Sequence, residues 1–580
     1  MPNRPKQSFL HGAIILMVAT VIVKLIGAVF KIPLTNLIGG EGMGYFTTAY
    51  GLFNPIYALS IAGLPVAVAK MVAENAALRR FKDIRRIMRI STALFFIMGI
   101  AGLSLIIFGS ELFVRAVGNP GAFWSVIAIS PAIFFGCMTS AYRGYYQGLR
   151  NMYPTAVSQI VEAIIKLAGG LLGAYLMLLW GARQFESGGP VFGQAVATME
   201  QAQAASLPYA AAGAIFGVTL STLGGAAYLW IRHKCRGDGI TEAEVEASPE
   251  PRPAKQLRRR LIRLAIPVCL GAVAVNLTSM IDLISVMNRL DTAIEQDSAV
   301  VLSMYQGLIP EGMSLGQIPN YLFGSYQALA ITIFNLVPSL TTTLGVSALP
   351  AVATAWATRS EKELRRNVEA VIRMTCLVAI PAGLGLFALA GPILQMLFSA
   401  RAAEAVIATP LLQMLGIAAI FVAVATPINS MLQAVGRPDL PVKLMVAGGI
   451  VKLGINFFLV AVPSVNINGA PIGTIICYLI IVVAGIICLC KITDVVPNLV
   501  GVFIKPLIAG GICAVTGWAS FGLLHVRLGN TLSVIGAIAL ACVVYLVSLF
   551  LIHAITKDDV IMLPKGEKIA KLLEKRGLIR

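Results

Sequence analysis

Charge is scarce in this sequence. Only 12% of its 580 residues are Asp, Glu, Lys or Arg, against about 25% in soluble globular domains. Set beside 57% hydrophobic residues, that shortage excludes a soluble domain and a disordered chain. Histidine is scarcer still: His11, His233, His525 and His553 stand apart near the ends of apolar runs and form no cluster. Cys488 and Cys490 have neither Cys-X-X-Cys spacing nor a nearby His, so no zinc site is expected. Eight of the nine Cys lie in apolar runs or at their ends, Cys235 is in a basic inner loop, and none falls in a loop expected on the outer side, so no disulfide is expected either. No GxxxxGK[ST] motif occurs and no loop is long enough for an ATPase domain, which argues against ATP-driven transport by this chain alone. Cofactors are expected to be none.

What the sequence has instead is long apolar runs. A spanning helix needs about 20 apolar residues. The runs predict fourteen spans, over 9–33, 45–73, 89–111, 123–147, 155–180, 207–231, 262–287, 322–356, 369–397, 406–434, 442–462, 471–490, 503–525 and 531–554. The fold class is an all-α polytopic membrane protein. The first run has a basic lead but is too long for a signal-peptide core, so it reads as a retained helix.

Lys and Arg fix the expected orientation. They crowd into Arg79–Arg89, Arg232–Arg263, Arg359–Arg373 and the tail from Lys557, all on one side, while Arg115, Arg183, Arg289, Arg401 and Arg527 stand alone on the other. By the positive-inside pattern both termini are cytoplasmic and the protein belongs in the cell membrane. The net charge of +18 then reflects inner-face topology and anionic lipid rather than nucleic acid. The stretch from Arg232 to Arg260, with four Glu and three Pro, reads as a flexible joint. The tail from Lys557 reads as a basic helix on the membrane surface.

The joint lies near the chain's midpoint, and the halves repeat. Gln147-Gly-Leu, Pro154 and Lys166-Leu167 recur as Gln433-Ala-Val, Pro441 and Lys452-Leu453, with the same spacing from Gln to Lys (147 to 166, 433 to 452). Gly63-Leu64-Pro65 of the second span finds a partner in Ala348-Leu349-Pro350 of the eighth. Six spans per copy is even, so the repeat is parallel, with transport at the interface of two lobes. The expected division is 1–235 (helices 1–6), 236–260 (cytoplasmic linker), 261–491 (helices 7–12), 492–556 (two extra helices) and 557–580 (basic tail).

An ionisable residue in mid-membrane is costly unless paired or hydrated, and so marks function. Lys24 and Lys31, seven residues apart on one helical face, suit an anionic headgroup such as a diphosphate. Glu162 and Lys166, four apart with Glu first, have the favourable order for an ion pair on one helix. That pair, together with Arg143 at the inner end of the fourth span, joins Lys24 and Lys31 as candidate substrate-binding residues. Asp282, Lys452 and Asn456 are candidates for an ion-coupling or structural pair, with the Lys452 ammonium in the place of a bound cation and neutralising Asp282 directly. Lys70 is expected to snorkel to the interface.

Two stretches carry a family resemblance. They are Ser140-Ala-Tyr-Arg-Gly-Tyr-Tyr-Gln-Gly-Leu-Arg-Asn-Met-Tyr-Pro-Thr-Ala-Val-Ser-Gln159 with Glu162 beyond, and Lys24-Leu-Ile-Gly through Lys31-Ile-Pro-Leu-Thr-Asn-Leu-Ile-Gly-Gly-Glu-Gly-Met-Gly44. Both resemble the stage V sporulation protein B / polysaccharide transporter family of the multidrug/oligosaccharidyl-lipid/polysaccharide superfamily, which includes MurJ-type lipid II flippases. The resemblance implies two six-helix lobes in a V, and a groove for a polyprenyl tail at the two last helices. It places Lys24 and Lys31 roughly where such flippases carry first-helix arginines. The expected function is translocation of an undecaprenyl-diphosphate-linked sugar, lipid II or another cell-envelope glycan precursor, from inner to outer leaflet. The expected partners are that lipid-linked glycan and anionic lipid. Of the alternatives, a cation-coupled drug antiporter favours acidic residues within its spans, where this chain has mainly Lys. A membrane glycosyltransferase would want a carboxylate pair in a sizeable outer loop, and Asp291, Glu295, Asp297 and Glu311 mark none.

Overall fold

A computed structural model describes residues 9–61, 64–498 and 500–554 of the chain. The basic tail expected from Lys557, and Gly63 of the repeat, lie outside these residues. The chain is helical throughout, with no β-strand among the described residues. It divides into two compact units, Met1–Asn288 and Arg289–Arg580. Ten helices among the described residues are long and apolar enough to cross a membrane.

The first unit holds α1 (Phe9–Ile61), α2 (Leu64–Ala77), α3 (Phe81–Val117), α4 (Phe123–Gly148), α5 (Tyr153–Glu186), α6 (Met199–Arg236), α7 (Glu242–Glu246) and the greater part of α8 (Ala254–Gln296). The sequence predicts a loop at 34–44. The structure keeps this stretch helical except at Gly39, where φ is 64° and ψ is −174°. A side chain at that backbone conformation would be strained, so one glycine does the work of a loop. The second unit continues through α9 (Ser298–Met304), α10 (Ile318–Ser325), α11 (Ile331–Phe334), α12 (Leu336–Ala357), α13 (Glu361–Leu397), α14 (Ala402–Ala434), α15 (Asp439–Leu459), α16 (Gly469–Thr493) and α17 (Lys505–Leu551). A π-turn at Tyr326–Ala330 joins α10 to α11, so the span predicted over 322–356 is two short helices followed by the 22-residue α12. Gly529 (φ 68°, ψ 170°) breaks α17 where the sequence separates the last two spans.

Helices α5 and α6 meet backbone to backbone. A Cβ on Gly173 would lie 2.8 Å from the Gly213 carbonyl carbon, and one on Gly213 the same distance from that of Gly173. In the second unit α13 and α14 do likewise, with a Cβ on Gly416 falling 2.6 Å from the Gly383 oxygen. Small residues at such seams are how membrane helices gain close packing without a hydrophobic driving force.

The stretch between α6 and α8 is not the flexible joint expected from its Pro and Glu content. Thr241 and Glu244 form a capping box that starts α7, and the segment is fastened to the start of α3. Asp83, 1% exposed, accepts from the Arg252 backbone N–H at 2.7 Å and from Arg80 Nε at 2.7 Å. The Ser248 hydroxyl accepts from the Lys82 N–H at 3.2 Å. Arg86 donates to the Arg252 carbonyl at 2.7 Å, and Arg85 grips Glu242 with both terminal nitrogens, at 2.8 and 3.1 Å. The prolines leave the segment short of backbone donors, and Arg80 and Arg86 at the start of α3 donate instead to the carbonyls of Glu250, Pro251 and Arg252 that no helix satisfies.

Asp83→Ala is therefore expected to free this strap. Loss of a buried carboxylate with two donors costs about 3 kcal/mol, and trypsin should cut after Lys255 faster than in the wild type. Equal cutting rates would refute the fastening. Acid loosens the outer clasp. Hydrogen bonding by Arg85 holds the Glu242 carboxyl below its ordinary 4.5. That contact is complete above pH 4.5 and is lost as the pH falls through the lower folded value.

Candidate functional site

The first unit gathers most of the ionisable residues singled out within the spans. Lys31 of α1 is half-buried, and the Lys166 ammonium of α5 is within coulombic reach of it. Lys166 Nζ donates to the Tyr50 hydroxyl at 3.2 Å and lies over the rings of Phe30 and Tyr50, 5.2 and 5.5 Å from their centroids. Neither ammonium has a carboxylate within ion-pair distance among the described residues. Lys24, one face further up α1, is exposed and likewise has no hydrogen bond or ion pair among them.

The Glu162–Lys166 pair expected from the i, i+4 spacing does not form. Glu162 Oε1 pairs instead with Arg143 Nη2 of α4 at 2.9 Å, the two side chains being 21% and 16% exposed. Arg143 Nε also donates to the Ser158 hydroxyl at 3.0 Å. Ser158 and Glu162 are one turn apart on α5, so a single guanidinium bridges both, as its fork geometry allows and an ammonium does not. Lys166 is drawn away by the ring faces, where a desolvated cation gains about 0.5–2 kcal/mol. Gly225 of α6 leaves room for the carboxylate, since a Cβ there would fall 2.6 Å from Glu162 Cγ.

Sequence reasoning missed the aromatic wall that receives Lys166. Phe46, Tyr50, Phe53 and Tyr57 contact one another in order, with centroids 5.1, 5.9 and 4.6 Å apart, and Phe30 joins at 6.2 Å from Phe46. Their spacing at 46, 50, 53 and 57 is one helical face and was there to be read. Glycines seat the outer rings: a Cβ on Gly170 would lie 2.6 Å from Phe30 Cε2. Tyr57 is within coulombic reach of both Glu162 and Arg143, so the wall runs from the cation pair to the ion pair.

The other candidates are divided between the units. Asp282 lies on α8 in the first unit, where its carbonyl accepts from the Ser285 hydroxyl at 3.1 Å. Lys452 and Asn456 lie on α15 in the second and share a face, because a Cβ on Gly473 of α16 would meet Asn456 Oδ1 at 2.5 Å and Lys452 Cγ at 3.4 Å. Asn456 is fully buried. At the repeat's offset of 286 residues (166 to 452), Arg143 and Glu162 correspond to Asn429 and Gly448. The ion pair of the first half therefore has no charged counterpart in the second.

Two adjacent cations beside a neutral ion pair, on an aromatic wall, form a place for a dianion. Among the described residues the site has no second carboxylate beside Glu162 for acid–base hydrolysis, and no group of His, Cys, Asp and Glu is arranged to hold a metal.

The polysaccharide biosynthesis protein family matches residues 9–356, more than half of the chain. This chain is a member of that family. The MatE family also matches, over residues 325–458. Stage V sporulation protein B of Bacillus subtilis (strain 168) is 22% identical over 564 residues, 96% of this chain and 98% of that protein. Lipid II flippase MurJ of the same strain is 22% identical over 495 residues, 83% and 82% of the two chains. Among solved structures, lipid II flippase MurJ in an inward closed conformation superposes with a TM-score of 0.62 at 14% identity, over 93% of this chain and 99% of that one. That likeness shows a shared fold. This member of the polysaccharide biosynthesis family is thus a multi-pass membrane protein, in the family that the sequence motifs lead us to expect.

Proposed function

We propose that the protein flips an undecaprenyl-diphosphate-linked sugar, lipid II or another cell-envelope glycan precursor, from the inner to the outer leaflet of the cell membrane. The observation that carries this reading is the unbalanced pair Lys31 and Lys166, two ammonium groups brought together from α1 and α5 with no carboxylate on either among the described residues. A diphosphate supplies the missing negative charge. Lys24 extends the cationic face of α1 towards the entry side, and Arg143 with Glu162 holds α4 against α5 around the bound headgroup. The chain acts by alternating access of two lobes built from fourteen spans, with both termini cytoplasmic, and Asp282 is a candidate for the ion-linked step. The relative named lipid II flippase and the family's polysaccharide description support the substrate class. The MatE match favours a drug antiporter as second reading, but the cationic site of the first unit does not suit a cationic drug.

The test is complementation. A bacterium depleted of its own lipid II flippase should survive when this chain is expressed. Death, with the chain present in the membrane, would remove lipid II from the candidates. The coupling step has its own expected result. Lys452 beside Asn456 puts a fixed ammonium where a bound cation would otherwise sit among oxygen ligands. Flipping in liposomes should then proceed within about twofold of its rate when Na⁺ is replaced by choline, since an ammonium among the ligands repels a second cation. A strict Na⁺ requirement would refute this role for Lys452.

A further inference from the structure

Two cavities meet at Arg89, and neither belongs to the site above. The first, about 350 Å³, is lined by Arg85, Met88, Arg89, Tyr145, His233, Gly237 and Asp238. The second, about 600 Å³, is lined by Arg89, Thr92, Ala93, Phe96 and Ile97. The first is polar and sits where the strap leaves α6. The second is an apolar groove along the outer face of α3, where Phe96, Ile97 and Ile100 are 47%, 64% and 43% exposed.

Arg85 spends its guanidinium on Glu242. Arg89 is exposed and makes no hydrogen bond or ion pair among the described residues, so it is the cation on offer where the cavities join. Asp238 accepts from the Tyr145 hydroxyl at 2.6 Å and, through its other oxygen, from the Ile240 N–H at 2.9 Å. Each oxygen keeps a lone pair for a further donor. From Arg89 to Ile100 is eleven residues, about 16 Å of helix, which is one leaflet's share of a hydrocarbon core about 30 Å thick. Arg79, Arg80, Lys82, Arg85 and Arg86 crowd the same end of α3, and each basic group near an anionic membrane surface adds about 1 kcal/mol of attraction.

We propose that these joined cavities hold one anionic glycerophospholipid whose headgroup carries hydroxyls, of the phosphatidylglycerol type. Its phosphodiester sits on Arg89, its headgroup hydroxyls donate to Asp238, and an acyl chain lies along Phe96, Ile97 and Ile100. The site stands on the leaflet side that carries the strap, whatever substrate the protein moves.

Native mass spectrometry of the purified full chain tests this, with phosphatidylglycerol, phosphatidic acid and phosphatidylcholine as probes and glycerol 1-phosphate as the free headgroup. One phosphatidylglycerol should be retained about tenfold better than phosphatidylcholine, the worth of one charge-assisted contact, and better than phosphatidic acid. Arg89→Gln should erase that preference. Since Arg89 makes no internal contact, its neutralisation leaves the fold intact, which elution volume checks. Arg183→Gln, at the far end of α5, should retain the lipid. Equal retention of phosphatidylglycerol and phosphatidylcholine, or an unchanged preference in Arg89→Gln, overturns the site. Equal retention of phosphatidic acid overturns the role of Asp238. Competition by glycerol 1-phosphate at the lipid's own concentration overturns the lipid in favour of a free anion.

Discussion

Cells that depend on this chain for flipping are expected to die when Lys31 and Lys166 are both replaced by Ala, although the protein still reaches the membrane. Each ammonium, in a partly dehydrated setting, contributes about 1.5–3 kcal/mol to a contact with phosphate. Loss of both takes binding down by at least a hundredfold. Single Lys→Arg changes should keep much of the activity, because a phosphate is met by charge first and by fork geometry second. Lys166→Met isolates transport from stability. It removes the cation over Phe30 and Tyr50 and leaves the Arg143–Glu162 pair untouched, so thermal stability in detergent should fall little while flipping is lost. A Lys166→Met protein that flips at the wild-type rate would sink the assignment, and so would a rescued double mutant.

The second large effect is on stability. Glu162→Gln leaves the Arg143 guanidinium four-fifths buried with neutral acceptors only, the Ser158 hydroxyl and the substituted amide oxygen. Breaking such a pair from one side costs about 3 kcal/mol, whereas removing both charges costs less. Arg143→Met should be milder than Glu162→Gln, because Lys166, one turn along α5, can swing from the aromatic rings to the abandoned carboxylate. The double mutant Arg143→Met/Glu162→Gln should sit above Glu162→Gln in a thermal melt. If all three variants melt with the wild type, the ion pair holds nothing together. If Arg143→Met is also inactive, the borrowed Lys166 explains it, since a lysine tied to Glu162 is withdrawn from substrate.

How much of this could be read from residues alone depended on whether the signal was local. The apolar runs that became α3, α4, α5 and α6 announce themselves within a window of 20 residues, and the structure has a helix in each. The break near 529 falls where the last two apolar runs part, but the form of the turn expected over 34–44 was harder. Loops are read from clusters of polar and turn-forming residues, and here one glycine at positive φ suffices. Glu162 has its i, i+4 neighbour Lys166 in the sequence, but its actual partner, Arg143, comes from another helix. Local propensity for a pair was overridden by a guanidinium that could reach two oxygens. The strap shows the same limit from the other side. Its prolines predict mobility only while its partners are unknown, and the partners Arg80, Asp83 and Arg86 stand some 170 residues away. The aromatic wall is different: its helical spacing was legible and passed over among so many apolar residues.

The glycine seams have a consequence for how such a machine can evolve. Where the main chains of α5 and α6 touch at Gly173 and Gly213, no side chain of any kind can be admitted, so the two rods behave as one welded beam. A stroke that moves substrate cannot be taken up by sliding along that weld. Bending must be borne elsewhere, at single-residue joints such as Gly39. Mutational drift is thereby channelled. The chassis forbids even an alanine at its welds, while the upholstery of charges and rings around Lys31 and Lys166 is free to be refitted for a new cargo. Descendants of such a chain should change passengers far more readily than they change frame.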